Sequence, residues 1–502
     1  MSDFSATLTR RRLLQLAAAG TATGLAGSVF SFGMARGAGP DGPLSDKDRK
    51  LLFVFCATGG ASIIDSFMPI VDSEVGDPAL AATLNTFPEW MVEQRPGSNI
   101  RSVKVLTDGY AYYATPARPM GDLLMHHGED VVVMAHEVSS VNHTVGQQRS
   151  LSGGGFDRGR TILESAAMRH GVGLPLPNCN MASDGYLRHG VDPSVPQEAR
   201  HELITSPLLF AAGTHGFRGV VGAPRESAIE RARSVREQLD QQSVFARTFK
   251  HDARLGRYLQ GRREVVPRLE QASMIEKLLL LDPSKIDATF GLKPDPLIES
   301  LRGTLPNMDS DKAQAQLALG FLMAYHGVSS SIAMGFNSDP VVDQQGAISG
   351  APIAFDFSHN LHRVVQSLMW CRTASMIDTL VTLLKTHDYL GDPALGKMWD
   401  RSLVYIATEF GRDKKRPSGS SSWGTGHNLN NGSVLISPLL KGNAVYGGVD
   451  PRTGSTYGFD PESGAPDKNR VFNESDVYSV IAQALELPVP AARAFPAVVR
   501  GS

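Results

Sequence analysis

Leu403-Val404-Tyr405-Ile406-Ala407-Thr408-Glu409-Phe410-Gly411-Arg412 is the stretch whose reading decides the fold. Its first six residues are apolar and rich in β-branched and aromatic types, the composition of a short strand buried on both faces. A carboxylate and a guanidinium follow at once. In an open α/β sheet, ligands bind just beyond the carboxyl ends of the strands, so Glu409 and Arg412 stand where chemistry is expected. A basic loop rich in Pro, Ser and Gly runs from Lys414 to Ser422. The chain returns through Gly424-Thr425-Gly426-His427-Asn428 to a second apolar run, Ser433-Val434-Leu435-Ile436. An acid, an arginine and a histidine are thereby expected to converge at one sheet edge.

The rest of the chain repeats this grammar. Leu51-Leu52-Phe53-Val54-Phe55 reads as a buried strand running into Ala57-Thr58-Gly59-Gly60-Ala61-Ser62. A strand that ends in a small-residue turn is a common place for a nucleophile or an anion-binding backbone loop, and Thr58 and Ser62 supply the hydroxyls. Asp130 to Ala135 is the next strong strand, with His143 beyond it. Ala313 to His326 reads as a helix that leads into the strand Ser329 to Met334. After a loop comes Phe355-Asp356-Phe357-Ser358-His359-Asn360, and then a long helix with its apolar stripe at Leu361, Val364, Val365, Leu368, Met376, Leu380, Leu383 and Leu384. A helix starting near Ser358 would put Asp356 and His359 around its first turn, where both can reach one ion. Asn473-Glu474-Ser475-Asp476 caps a last helix. Strands alternating with helices argue for an α/β sandwich around a mainly parallel sheet.

Ser227 to Leu281 differs, being rich in Arg, Glu, Gln and Leu and poor in strand-like runs; it reads as a helical insertion into one domain. Three cysteines, Cys56, Cys179 and Cys371, are expected as buried small apolar side chains. The chain has 502 residues, 42% hydrophobic and 20% charged, which is ordinary globular composition. Its formal net charge of -2 argues against a nucleic-acid-binding protein, which would show a strongly basic domain.

At the N-terminus, Thr9-Arg10-Arg11-Arg12-Leu13-Leu14-Gln15 precedes a weakly apolar, Ala- and Gly-rich stretch to about Val29. This resembles a twin-arginine export signal, with Gly33-Met34-Ala35 as the cleavage site. Residues 1–35 are then a signal peptide handled by the twin-arginine translocase, and 36–50 a linker. Residues 51–500 form the α/β domain. The expected location is the periplasm or cell surface, with membrane attachment only through an uncleaved signal.

The order of these motifs resembles the exported sulfatase-like family of unknown function. Its marks here are the twin-arginine signal, the first strand into Gly59-Gly60, His143 after the second strong strand, Asp356 with His359, Glu-Phe-Gly-Arg at 409–412, Gly-Thr-x-His at 424–427 and the last Asp476-Val477-Tyr478 helix. The resemblance implies an alkaline-phosphatase-like three-layer sandwich. It further implies a metal-dependent hydrolase of phosphate or sulfate esters, in which Asp356, His359, Glu409, His427 and His143 hold a divalent cation (Zn, Mn, Mg or Ca) and Arg412 orients the anionic ester. The chain departs from the family pattern at Gly426, where relatives carry an acid, and at Gly60-Ala61-Ser62, where relatives often show one. The spacing of Asp356 and His359 is also longer by one residue, after the inserted loop 337–354. A non-catalytic exported binding or scaffold protein with the same fold is therefore a second reading.

Overall fold

The computed structural model describes residues 44–104, 119–213, 224–252, 274–282, 295–335, 354–417 and 423–501, with a few isolated positions between 222 and 259. Residues 1–35, expected as a signal peptide, and the loop 337–353 lie outside the described residues. Eight strands form the main sheet: β1 (Leu51–Ala57), β2 (Val131–Glu137), β3 (Asn178–Met181), β4 (Glu202–Leu203), β5 (Ser331–Gly335), β6 (Ser402–Thr408), β7 (Asn430–Ile436) and β8 (Ala444–Tyr446). Their spatial order is β8-β2-β7-β6-β1-β5-β3-β4. Every pairing is parallel except those of β7, which runs antiparallel to both β2 and β6.

β1 is buried at all seven positions, and its side chains alternate between two cores. Phe53 and Phe55 join one apolar cluster, while Leu52, Val54 and Cys56 join the other on the opposite face. This is why the central strands read as continuous apolar runs rather than alternating ones. The principal helices are α1 (Pro119–His127), α2 (His143–Ser152), α3 (Ile162–His170), α4 (Glu226–Gln242), α5 (Lys312–Tyr325), α6 (His362–Thr386) and α7 (Glu474–Ala484). Helices α1, α5 and α6 pack on the Phe53 face; α3 and α7 pack on the Leu52 face. Full burial of each large side chain contributes roughly 1.5–3 kcal/mol, so the two faces together hold the sheet in place. Asn473 caps α7 and Asp476 bonds back to it, the reciprocal box expected from the sequence.

Three local differences from expectation have physical causes. Phe355–His359 is one 3-10 turn, and the long helix begins only at His362; Leu361, at the break between them, is exposed rather than part of the core stripe. Within the expected insertion, Glu226–Gln242 and Val244–Thr248 bury nothing, but Met274, Ile275, Leu278, Leu279 and Leu280 belong to the Phe53-side core. The end of the linker is also tied down, because Arg401 donates to the carbonyls of Asp46, Lys47 and Arg49. All three cysteines are free and buried, and burial raises the thiols of Cys56 and Cys179. Among the described residues, no helix is long and apolar enough to cross a membrane.

Candidate metal centre

The sheet topology brings four chain segments to one edge. β2, β5 and β6 run the same way and end there, and antiparallel β7 begins there, so the residues just before β7 arrive at the carboxyl ends of its neighbours. The loop after β2 leads to His143, the first residue of α2, which Asn142 caps through the amide of Val145. His427 sits in a short ribbon in which His427-Asn428 pairs with Gly411-Arg412. The 3-10 turn completes the set. With three residues per turn, its positions fall on three faces: Phe355 and Ser358 go into the core, while Asp356 and His359 share a second face.

That shared face meets His143 and His427. One ligand atom from each of His143, Asp356, His359 and His427 lies within 4.8 Å of all the others. His143 Nε2 is 3.3 Å from Asp356 Oδ1, His359 Nε2 is 3.4 Å from the same oxygen, and His359 Nε2 is 2.9 Å from His427 Nε2. Ligands about 2.0–2.1 Å from a tetrahedral ion are separated by roughly 3.3 Å along each edge. Two of these distances match that edge. The wider pairs require side-chain shifts of about an ångström to close on one ion.

The atoms behind the cluster set the imidazole tautomers. His427 Nδ1 donates to the carbonyl of Val141 at 2.8 Å, which leaves the Nε2 lone pair facing the cluster. His143 Nδ1 lies 3.2 Å from Glu409 Oε1, and its Nε2 likewise faces Asp356. Phe410 fills the space beneath, stacked on the His427 ring at 4.0 Å and edge-on to His143 at 5.0 Å. Carboxylate and carbonyl partners behind a histidine are what a metal site uses to fix ring orientation. The hydrogen bond that His143 donates to Glu409 raises its pKa above the ordinary value, more than partial burial lowers it. Burial lowers His427, outweighing the hydrogen bond to the Val141 carbonyl that raises it, and the Arg412 guanidinium lowers it further.

Glu409, expected as a ligand, stands one layer back. Its side chain is fully buried; Oε1 accepts from the Gly59 amide as well as facing His143, and Oε2 has no partner among the described residues. The register of β1 on β6 explains this, since Ala57 pairs with Thr408 and the two strand ends emerge side by side. Arg412, expected to face an anionic ester, is 3% exposed and faces the protein. It donates to the carbonyls of Gly59, Gly60, Phe355 and Thr425 and to Asp356 Oδ1 at 3.1 Å. It thus ties the β1 turn, the 3-10 turn and the His427 loop together. Gly59 has φ +98°, and a Cβ there would lie 1.9 Å from the Asp356 nitrogen, so only glycine permits this approach.

Neither hydroxyl candidate reaches the cluster. Thr58 lines a small void with Cys56, Phe355, Met369 and Thr373, and its hydroxyl is buried without a partner among the described residues. Ser62 is turned into the core and bonds to Asp65. Sequence reasoning passed over a second polar group nearby, built of Asp65, Asn85, His362 and Thr425. His362 Nε2 is 2.9 Å from Asp65 Oδ2 and its Nδ1 is 2.8 Å from Thr425 Oγ1; Asn85 donates to Asp65 at 2.8 Å. The available signal was His362 on the stripe with Val365, Gln366 and Met369, a histidine placed where only a paired one is tolerated.

A scan against protein-family models finds no match to this chain, and a search of curated proteins finds none either.

Proposed function

We propose that the chain is an exported metal-dependent hydrolase of phosphate or sulfate esters, with an alkaline-phosphatase-like three-layer fold. The observation that carries this reading is the convergence of three imidazole nitrogens and one carboxylate oxygen at the carboxyl edge of the sheet. The donor set fits a divalent ion, and its imidazole content favours Zn or Mn over Mg or Ca. Such an ion, when bound, polarises an ester oxygen and lowers the pKa of a bound water. His143, Asp356, His359 and His427 would hold it. Glu409 and the Val141 carbonyl orient two of the rings, and Arg412 holds the three segments in register. With the Thr58 and Ser62 hydroxyls enclosed, water rather than a side chain is the attacking group. The twin-arginine motif supports export to the periplasm or cell surface through the twin-arginine translocase; changing Arg10 and Arg11 to Lys should trap the precursor in the cytoplasm.

A second reading, a non-catalytic binding or scaffold protein of the same fold, is favoured by one observation: no hydroxyl or free guanidinium of those expected faces the cluster. Elemental analysis of the protein purified from its native compartment, followed by assay on aryl phosphates and aryl sulfates, separates the two. Bound metal with hydrolysis supports the hydrolase. Neither metal nor hydrolysis after supply of Zn, Mn, Mg and Ca would leave the scaffold reading.

A further inference from the structure

Exposed apolar side chains are concentrated in the segments that carry the four-residue cluster. Val141, Val145, Phe357, Leu361 and Leu429 are each between 38% and 45% exposed, and each lies within two residues of His143, Asp356, His359 or His427. They make up a third of the large apolar side chains that are exposed among the described residues, although the windows around four ligands cover a small part of them. Exposed apolar groups scattered singly need no explanation, but a set gathered on one functional edge does.

Their positions follow from the elements that carry the ligands. Phe357 occupies the third face of the 3-10 turn, beside the face that presents Asp356 and His359. Leu361 lies at the break before α6, where the chain leaves the core. Val141 supplies the carbonyl that holds His427, and the Leu429 carbonyl accepts from the amide of Val138, so these two strand-end segments lie against each other. Val145, two residues after His143 in the first turn of α2, is turned to another side of the helix and takes no part. These apolar groups are thus carried by the same three segments as the donors. Arg412, a buried cation at the site, is committed to backbone carbonyls and Asp356.

Building on the hydrolase reading, we propose that the substrate is an ester with a bulky apolar group, alkyl or aromatic, next to the ester oxygen, and that Phe357, Leu361 and Leu429 with Val141 receive that group. An ester held at the cluster would lie beside these side chains, within reach of its carbon substituent. Each methylene removed from water there favours binding, and a small polar alcohol portion gains nothing.

The test uses the metal-supplied full-length protein and a series of primary alkyl phosphates and sulfates from ethyl to octyl, whose leaving groups have nearly the same basicity. The expected result is a rise in kcat/KM of at least about tenfold along the series, a fraction of what complete burial of the added methylenes would give. Phe357→Ser, Leu361→Ser and Leu429→Ser should each flatten the slope while metal content and melting temperature stay unchanged. Calorimetric binding of octyl sulfate against ethyl sulfate gives a second readout that needs no turnover. A flat series in both measurements, or a slope that the three variants leave intact, overturns the proposal. Absence of metal and of all turnover, with octyl sulfate still preferred and the preference lost in the variants, would sink the hydrolase reading and keep the apolar site. Binding of the protein to phosphatidylcholine vesicles that depends on the same three side chains, without any preference among soluble esters, would assign them to a membrane surface and overturn the substrate proposal.

Discussion

His359 and His362 stand three residues apart, and each meets an aspartate, with opposite outcomes. In the Asp65–His362 group every partner is spent: His362 is 0% exposed, with Asp65 on one nitrogen and Thr425 on the other, and Asp65 also accepts from Asn85. In the His143–Asp356–His359–His427 group, the outer nitrogens of two rings are held by Glu409 and the Val141 carbonyl, and the inner atoms point at one another. The first group has nothing left to bind. The second has its inner atoms turned toward one another, joined only within the set and to Arg412, and is partly open to solvent. What separates a structural His–Asp pair from a ligand set is therefore neither residue type nor distance but whether the lone pairs are already used.

Breaking the closed group should give the largest effect on stability. Asp65→Ala leaves a buried imidazole and the Asn85 amide without their acceptor, and loss of one partner of a buried pair costs about 3–5 kcal/mol. Chemical denaturation should show that loss in the midpoint, with the slope unchanged. The open group should respond in the other way. His427→Ala or Asp356→Ala removes a ligand at the sheet edge, where little core packing is involved, so the melting temperature of metal-free protein should move little. Metal affinity should fall by at least about 100-fold, more than the 10–100-fold typical for losing a group behind a ligand. If His427→Ala unfolds the protein as Asp65→Ala does, the distinction between the two groups is lost.

The same distinction explains what was legible in the sequence. Strand ends can be read from apolar runs, so Asp356, His359, Glu409 and His427 were expected at one edge before any side chain was placed; the structure puts His143 in the cluster and Glu409 behind it. Asp356 and His359 are three apart and share a face in a 3-10 turn as they would in an α-helix, so mistaking the turn type did no harm. Side-chain direction at a strand end is another matter. Glu409 turns beneath Gly59 because β1 and β6 end in register, and Arg412 turns inward because four carbonyls converge on it; both are properties of neighbouring strands, absent from the local sequence. His362 escaped notice for a related reason, since its partners Asp65 and Thr425 are distant in the chain.

Glu409 offers the finest test, because it belongs to the open group but is itself buried. Glu409→Gln preserves shape and the bond from Gly59 while removing the charge behind His143. Metal affinity should drop by roughly tenfold, measured by competition with a chelator. The metal-free protein should show a smaller change whose pH dependence has a defined sign. The folded pKa of His143 is raised, chiefly by the Glu409 hydrogen bond, so the pair contributes stability that is fully present below the unfolded value of about 6.5 and is lost as pH rises through the folded value. Because the imidazole is partly exposed, that contribution should be under about 1 kcal/mol. Asp65 behaves oppositely. Burial pushes its carboxyl up, but the charge and hydrogen bond of His362, with Arg363 and Ser62, outweigh it and hold the folded pKa below the ordinary value. Its contribution is present above the unfolded value of about 3.9 and is lost as pH falls through the folded one. Melting curves of metal-free wild type and Glu409→Gln across this range should therefore diverge on the acidic side of about pH 6.5 and converge above the raised pKa of His143, while acid unfolding near the Asp65 transition stays common to both. Curves that diverge only in alkali would place the Glu409 charge elsewhere than on His143.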